Sequence, residues 1–407
     1  MEATAPPATR RESAGWWNAP QRVWLRRAIF QVHLWVGVVL SLYCVVIGLS
    51  GSALVFKNEI EESMHPEVFR VAASPQRVSL AAAMAKIQAS HPDWTAINVQ
   101  DFATPGHAAM AVLIPRKSAT RGADIKYVYF NPYTGAVLAE RSRYSGVLGW
   151  ISNLHYFLLS GEKGLIVSGV MAAGLLLLCI SGLIVWWPGI ARWSSALVMQ
   201  RRASWRRVNW DLHSVVGFWS CAALTVVSFT GVYFAFPLPV GGAVVLATGG
   251  SIQQAKKLIF PVNVAPFAAG ARVLSLDEVI TVARGAMPPE APPIYLQIPA
   301  KPTDAFSVVG YYKDTAPYSQ SRRVVVDPHS GAVLMSVDTH TMPLGLRLLQ
   351  YVHSVHFGSF AGEGLLGVAV KCVWVLLGIV PALLSVTGLL MYWNRKLRPA
   401  WIRMRRA

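Results

Sequence analysis

The chain has 407 residues, of which 54% are hydrophobic and 14% charged, and its mean hydropathy is +0.41. Soluble domains carry about a quarter charged residues, so composition excludes an ordinary soluble fold. The net charge of +17 would suit a nucleic acid, but the basic residues cluster beside apolar runs, which points away from that partner and toward membrane lipid.

Residues 1–27 carry Arg10, Arg11, Arg22, Arg26 and Arg27. The apolar run 28–56 is too long for a signal peptide and lacks an A-x-A exit, so it is predicted to stay attached as the first span. An outer segment, 57–150, leads to a histidine-bearing approach and a second span at 164–187, together 151–187. The link 188–211 carries Arg192, Arg201, Arg202, Arg206 and Arg207. A third span at 212–236 and a second outer segment at 237–345 follow. Residues 346–394 hold another histidine-bearing approach and a span at 372–393. The tail 395–407 carries Arg395, Lys396, Arg398, Arg403, Arg405 and Arg406. Each run reaches the ~20 residues needed to cross ~30 Å of hydrocarbon. Backbone groups in lipid must be satisfied internally, so the runs are helices. The positive-inside rule then places both termini and the link in the cytoplasm of a multi-pass bacterial inner-membrane protein. Cys44, Cys179, Cys221 and Cys372 all lie in or beside spans, leaving no disulfide framework or C-x-x-C metal site.

The chain is internally duplicated. His33, Gly37 and Ser50-Gly51 recur as His213, Gly217 and Thr230-Gly231, all 180 residues later. VSLAAAMAKIQASHP (78–92) and YFNPYTGAVL (129–138) recur as LSLDEVITVARGAMP (274–288) and VVDPHSGAVL (325–334), 196 residues later. The second outer segment therefore gains 16 residues soon after its helix exits. The second and fourth spans end alike, Ser181-Gly182-Leu183 before Trp186-Trp187 and Thr387-Gly388-Leu389 before Tyr392-Trp393. In each outer segment Ser79 or Ser275 is predicted to cap a helix that stops near Pro92 or Pro288. A strand–turn–strand hairpin then follows at Asn-Pro-Tyr-Thr-Gly or Asp-Pro-His-Ser-Gly. Each outer segment thus reads as a small α+β domain, and neither shows a nucleophile with its base.

Of ten histidines, His65, His91, His107, His329 and His340 fall in outer loops or turns and read as surface residues. His33 and His213 lie near the cytoplasmic ends of spans one and three. His155, His353 and His356 lie at or above the outer ends of spans two and four. Ionisable residues at membrane depth normally face the bundle interior with a functional partner. Helices one and three of an up-down-up-down bundle sit on one diagonal and two and four on the other, and facing helices can hold a cofactor. One histidine from each member of a diagonal pair clamps a haem iron axially. Gly37 and Gly217, one turn after His33 and His213 on the same face, leave room for a flat macrocycle. One haem is expected between His33 and His213 and another between His155 and His356. His353, three residues from His356, competes for the outer place, although LHYFLLSGEKG (154–164) matches VHFGSFAGEG (355–364) in favour of His356. Zinc is a weaker candidate, because no carboxylate or thiolate stands near either pair at ligand spacing. Lys371 is expected to snorkel to the outer interface or to meet a haem propionate.

The D/N-P-x-S/T-G-A-V-L turns, the His-x3-Gly motifs of spans one and three, and the HFG plus LLGIVPALLSVTGLLMYW ending resemble the PepSY-associated transmembrane proteins. The likeness covers nearly all of residues 22–396. This family includes inner-membrane ferric-siderophore reductases. The resemblance implies a four-helix bundle with two b-type haems on His33, His155, His213 and His356, and PepSY-like domains in the periplasm. Bis-histidine ligation suits electron transfer, from a quinol or a cytoplasmic redox protein to a ferric siderophore or another periplasmic acceptor. No G-x-G-x-x-G fingerprint stands in a strand–turn–helix context, and the cytoplasmic parts are too short for a flavin or nicotinamide domain. Two other functions remain open at this stage: a membrane-anchored PepSY-type binding or regulatory protein, and a haem electron-transfer protein serving a non-siderophore acceptor.

Overall fold

The computed structural model describes residues 15–17, 19–116, 125–200, 204–264, 271–312, 320–362 and 364–406. Arg10, Arg11, Arg201, Arg202 and Glu363 lie outside the described residues. In chain order, helix α1 (Trp24–Leu54) is followed by α2 (Lys57–Met64), α3 (Pro66–Phe69) and α4 (Leu80–Ser90). Strands β1 (Trp94–Gln100), β2 (Ala109–Pro115), β3 (Lys126–Phe130) and β4 (Val137–Ser142) precede α5 (Gly146–Phe157) and α6 (Gly161–Trp186). The second half runs α7 (Trp205–Ala235), α8 (Pro237–Ala247), α9 (Ile252–Ile259) and α10 (Leu276–Gly285). It continues through β5 (Pro293–Gln297), β6 (Phe306–Tyr311), β7 (Ser321–Val326) and β8 (Val333–Asp338) to α11 (Leu344–His356), α12 (Leu365–Tyr392) and α13 (Arg398–Arg406).

Among the described residues four helices are long and apolar enough to cross a membrane, beginning at Trp24, Gly161, Trp205 and Leu365. Each starts before its apolar run. The early turns of α1 and α7 read WLRR and WRRVNWD, and Trp rings and Arg stems suit the membrane–water interface. These helices therefore extend past the stretch that hydrocarbon alone requires. The basic tail is helical too, because α12 continues through one π-turn at Trp393–Leu397 into α13.

The chain divides into two compact units. The first comprises Met1–Gly48, Ala173–Val226 and Ile379–Ala407, and holds segments of all four spanning helices. Within it α1 meets α12 through Trp35 and Tyr392, whose ring centres are 5.9 Å apart.

The second unit, Leu49–Ala172 with Val227–Gly378, contains the strands. The two outer segments, expected as two α+β domains, instead contribute four strands each to one antiparallel sheet of order β4-β3-β2-β1-β5-β6-β7-β8. Each four-strand meander would leave β1 or β5 as an edge of unpaired backbone groups. Pairing the two edges removes that cost: Asn98, Val99 and Gln100 face Gln297, Leu296 and Tyr295. Backbone bonds from Asp101 N to Ile294 O (2.9 Å) and from Ile298 N to Ile97 O (2.8 Å) extend the seam. Side chains alternate across a strand, and the inward set buries Val99, Leu296, Val308, Val324 and Val326 against α4 and α10 in one core.

The helix starts match their capping signals. The Ser79 hydroxyl accepts from Ala82 N, and Ser275 forms a capping box with Glu278. Both hairpins close as the turn chemistry dictates. The Asn131 carboxamide oxygen accepts from Tyr133 N and Thr134 N, and the Asp327 carboxylate accepts from His329 N and Ser330 N. Gly135 and Gly331 hold φ of 72° and 73°, which L side chains rarely adopt. The surplus near the start of the second outer segment coincides with α8, since α9 has an eight-residue counterpart in α2; α8 and α9 pack through Val245 and Ala255 onto Leu346, Leu349 and Val352 of α11.

Candidate functional site

In the first unit, α1 carries His33 and α7 carries His213, with ring centres 6.4 Å apart and planes at 90°. His33 Nδ1 lies 3.0 Å from the Ser181 hydroxyl of α6, and His213 Nδ1 lies 2.9 Å from the Thr387 hydroxyl of α12. A hydroxyl has one proton to give. Ser181 gives it to Leu177 O at 2.6 Å and Thr387 to Leu383 O at 2.8 Å, one turn back in their own helices. Toward the histidine each hydroxyl can then only accept, so Nδ1 carries the imidazole proton and Nε2 keeps its lone pair for a metal. The following glycines make room for the same rings. A Cβ at Gly182 would stand 3.1 Å from His33 Cε1, and one at Gly388 3.3 Å from His213 Cε1.

The second unit repeats the device with the roles of the helices exchanged. His155 and His356 have ring centres 6.4 Å apart and planes at 59°. His155 Nδ1 is 2.9 Å from the Ser50 hydroxyl, and His356 Nδ1 is 2.7 Å from the Thr230 hydroxyl, which donates to Val227 O at 2.8 Å. A Cβ at Gly51 would come within 2.9 Å of His155 Cε1; one at Gly231 would stay 3.9 Å from His356 Cε1. These histidines ride on the separate helices α5 and α11, not on the spans that follow. Leu158 and Leu159 break the chain between α5 and α6 with positive φ.

The sequence motifs therefore served as more than repeat markers. Ser50-Gly51, Ser181-Gly182, Thr230-Gly231 and Thr387-Gly388 each hold one histidine of a neighbouring helix. The recurring Ser/Thr-Gly pair was the available signal, but only the fold shows which imidazole each one meets. The same rule separates His353 from His356 by position. His356 faces both Thr230 and His155, whereas His353 stacks on Phe357 with ring centres 4.3 Å apart and planes at 11°.

A cavity of about 560 Å³ surrounds the first pair, bordered by both histidines, Gly37 and Gly217. This volume falls in the range of small-molecule and cofactor sites. A Cβ at Gly37 or Gly217 would make only ordinary contact, 3.8 Å from Leu178 and 3.7 Å from Leu384. Arg26, Arg27, Arg395 and Trp186 also border the cavity, and among the described residues no carboxylate does. Arg26 Nε and Trp186 Nε1 are buried there without a hydrogen-bond partner among the described residues. Buried donors left unpaired are costly, and an anionic group in the cavity would satisfy them.

The two pairs can be tested against an iron porphyrin on this geometry. Imidazoles bound trans to one metal, with bonds of about 2 Å and ring centres about 1.1 Å farther on, stand roughly 6.3 Å apart. Both observed separations are 6.4 Å. A porphyrin brings four nitrogens of its own and two carboxylates, which would suit sites of two protein ligands and the donors at Arg26 Nε and Trp186 Nε1. Zinc needs a fuller set of protein ligands, and among the described residues no group of three or more His, Cys, Asp or Glu is placed to hold a metal ion. The residues present fit the porphyrin.

The remaining histidines stay out of both pairs. His91, expected at the surface, is buried at 5% exposure, with Nδ1 2.8 Å from Ile87 O and Nε2 3.1 Å from Glu140. It closes the C-terminus of α4, where a ring that bonds the last carbonyls is favoured. That hydrogen bond from His91 holds the Glu140 carboxyl below its ordinary value, with Lys126 adding to the effect. Lys371 lies within α12, which starts at Leu365, and its Nζ is paired with Glu59 of α2.

Comparison with curated proteins finds no match. The family described as the PepSY-associated TM region matches residues 30–395, nearly the whole chain. With four membrane-crossing helices that carry or hold the paired histidines, the protein is a membrane protein of the PepSY-associated transmembrane family.

Proposed function

We propose that this chain is a two-haem oxidoreductase of the bacterial inner membrane that moves electrons from a quinol or cytoplasmic redox donor to a periplasmic ferric siderophore, so that iron leaves as Fe(II). The observation that carries this is the pair of 6.4 Å imidazole separations, each with both Nδ1 atoms engaged by a hydroxyl. Bound b-type haem would supply reversible one-electron chemistry, and two histidine ligands per iron close it to oxygen. His33, His213, His155 and His356 would hold the two haem irons. Ser181, Thr387, Ser50 and Thr230 hold the ring orientation and the proton on Nδ1. Arg26, Arg27 and Arg395, which border the first cavity, would meet the carboxylates of a haem held there.

The direction of transfer follows from orientation. Arg22, Arg26, Arg27, Arg192, Arg206, Arg207, Arg395 and Lys396 flank the spans on the side of the termini and the link, and the positive-inside rule supports a cytoplasmic place for that side. Along α1, His33 lies in the first third and Ser50 near the end; α7 carries His213 and Thr230 in the same order. The strands belong to segments leaving the opposite ends of these helices, which supports a periplasmic place for the sheet and for the acceptor.

The decisive experiment is the absorption spectrum of detergent-purified protein, oxidised and dithionite-reduced, from cells well supplied with haem. Sharp low-spin bands at two haems per chain are expected, and His33→Ala or His213→Ala should remove one haem and leave the other. A colourless preparation would end the redox assignment and favour a membrane-anchored binding protein. Ferric chelates of several chemical classes, offered to the reduced protein, then distinguish siderophore reduction from transfer to another acceptor.

A further inference from the structure

The face of the sheet turned away from α4 and α10 holds a second cavity, whose charged lining belongs to one half of the duplication. Its volume is about 230 Å³, and it is lined by Tyr295, Gln297, Ser307, Val309 and Arg323 from the strands and by Ile259, Phe260 and Pro261 from the end of α9 and the turn after it. The strand residues share a face by register. Gln297 lies opposite Ser307, Tyr295 opposite Val309, and Val309 opposite Arg323.

The first half supplies the control. Val309 faces Arg323 on β7 as Val112 faces Tyr127 on β3, and Phe306 faces Val326 as Ala109 faces Phe130. The register counterpart of Arg323 is therefore Tyr127, and that of Ser307 is Met110. The guanidinium and its hydroxyl partner exist only in the second half. The segment that forms the wall has a counterpart in the first half, where Ala108 N bonds Phe69 O (2.9 Å) and Val71 N bonds Gly106 O (3.0 Å), so the one-sided feature is the polar pair and not the wall. Backbone bonds from Ala305 N to Val262 O (3.0 Å) and from Val264 N to Thr303 O (2.8 Å) fix this wall against the strands.

The chemistry of the lining selects a ligand. Arg323 Nε donates to the Ser307 hydroxyl at 2.9 Å, which sets the plane of the guanidinium. Burial draws the guanidinium below its ordinary value, with Tyr295 partly opposing; a desolvated cation favours an anion beside it. A planar guanidinium matches the two oxygens of a carboxylate. One positive charge, neutral side chains at Tyr295, Gln297 and Ser307, and no acidic residue among the described residues of the lining suit a monoanion better than a phosphate dianion. Phe260, Pro261 and Ile259 offer apolar surface for the rest of the molecule. The volume, smaller than a drug-sized pocket, limits that body to about one ring.

We propose that the cavity bordered by Arg323, Ser307 and Phe260 is a binding site for a small organic carboxylate with an apolar or aromatic body. The site does not depend on haem. Its α9 wall packs beside α11, since a Cβ at Gly241 of α8 would touch both Leu349 at 3.3 Å and Ile259 at 3.5 Å. A ligand there would therefore bear on the helix that carries His356.

The test is calorimetric titration of the full chain in detergent with benzoate and, separately, with its neutral analogue benzamide. Saturable one-to-one binding of benzoate is expected, with benzamide weaker by about tenfold or more, the value of a charge-assisted hydrogen bond. Arg323→Gln should erase the difference between the two probes. Phe260→Trp, which fills the cavity and leaves the guanidinium in place, should abolish binding of both. Equal binding of benzoate and benzamide to the wild-type chain overturns the proposal, as does undiminished benzoate binding by Phe260→Trp. Should Arg323→Gln fail to fold, as judged by its circular dichroism, the wild-type comparison and Phe260→Trp still decide.

Discussion

The Asp277 carboxylate accepts a 2.5 Å hydrogen bond from the Ser79 hydroxyl, so a residue in the first turn of α10 serves as an N-cap for α4. It also accepts from Leu80 N at 2.9 Å and Ala81 N at 3.1 Å. The first four N–H groups of a helix lack partners within it, and here one is satisfied by Ser79 itself and two by the other half of the duplication. The relation is not returned: in the aligned stretches Ala81 stands where Asp277 does.

Asp277→Ala should destabilise the second unit by about 1–2 kcal/mol, the upper range for loss of an N-cap. Burial would raise the Asp277 carboxyl, but the bonds from Ser79, Leu80 and Ala81 outweigh it and hold the carboxyl below its ordinary value. A group depressed in the folded state stabilises above its unfolded pKa of about 3.9 and loses that contribution as pH falls through the folded value. The melting-temperature gap between wild type and Asp277→Ala, measured by scanning calorimetry, should thus be full near neutral pH and shrink in acid. A gap independent of pH would show that the carboxylate charge is not what stabilises α4.

Ser181→Ala and Thr387→Val remove the hydroxyls that hold His33 and His213 without touching either ligand. Haem should still bind, but about 10- to 100-fold more weakly, the usual effect of losing a group that orients a metal-ligating histidine. The electron paramagnetic resonance signal of the ferric first haem should shift as its imidazoles rotate. A spectrum identical to wild type would mean that the hydroxyls only pack.

Gly51 and Gly231 are equivalent in sequence but unequal in space. Gly51→Ala places a methyl 2.9 Å from His155 Cε1, while Gly231→Ala leaves 3.9 Å to His356 Cε1. The first substitution should displace the imidazole and perturb or release the second haem; the second should leave its absorption unchanged. Reduced-minus-oxidised spectra of both variants test the order, and a reversed order would contradict the placement of His155.

His356→Ala should cost one haem per chain, and His353→Ala none. Since His353 stacks on Phe357, its loss should act on thermal stability and leave the spectrum as it was. Pyridine haemochrome quantitation of the two variants separates these outcomes.

The features legible in the sequence were those written locally. Apolar runs gave the spans, Ser79 and Ser275 the helix starts, and the Asn131 and Asp327 turns the hairpins. Positions His33 and His213 were visible because one motif repeated at one spacing. Features that depend on distant chain meeting were hidden. Nothing in TAINVQ or PIYLQ says that β1 and β5 seek each other, because edge pairing uses backbone groups that every sequence has. Ser50 and Thr230 read as markers because a hydroxyl in a spanning helix usually bonds its own backbone, and these also reach a histidine brought by another helix. His91 looked exposed because it follows a helix, and its burial depends on Glu140, contributed by β4.

The seam between β1 and β5 is made of main-chain hydrogen bonds, and main-chain bonds are indifferent to what the side chains become. Either copy of the meander can therefore exchange its outward residues, as Arg323 and Ser307 have replaced Tyr127 and Met110, without losing alignment with its twin. One copy is free to change its outward chemistry while the seam between the two keeps its main-chain bonds.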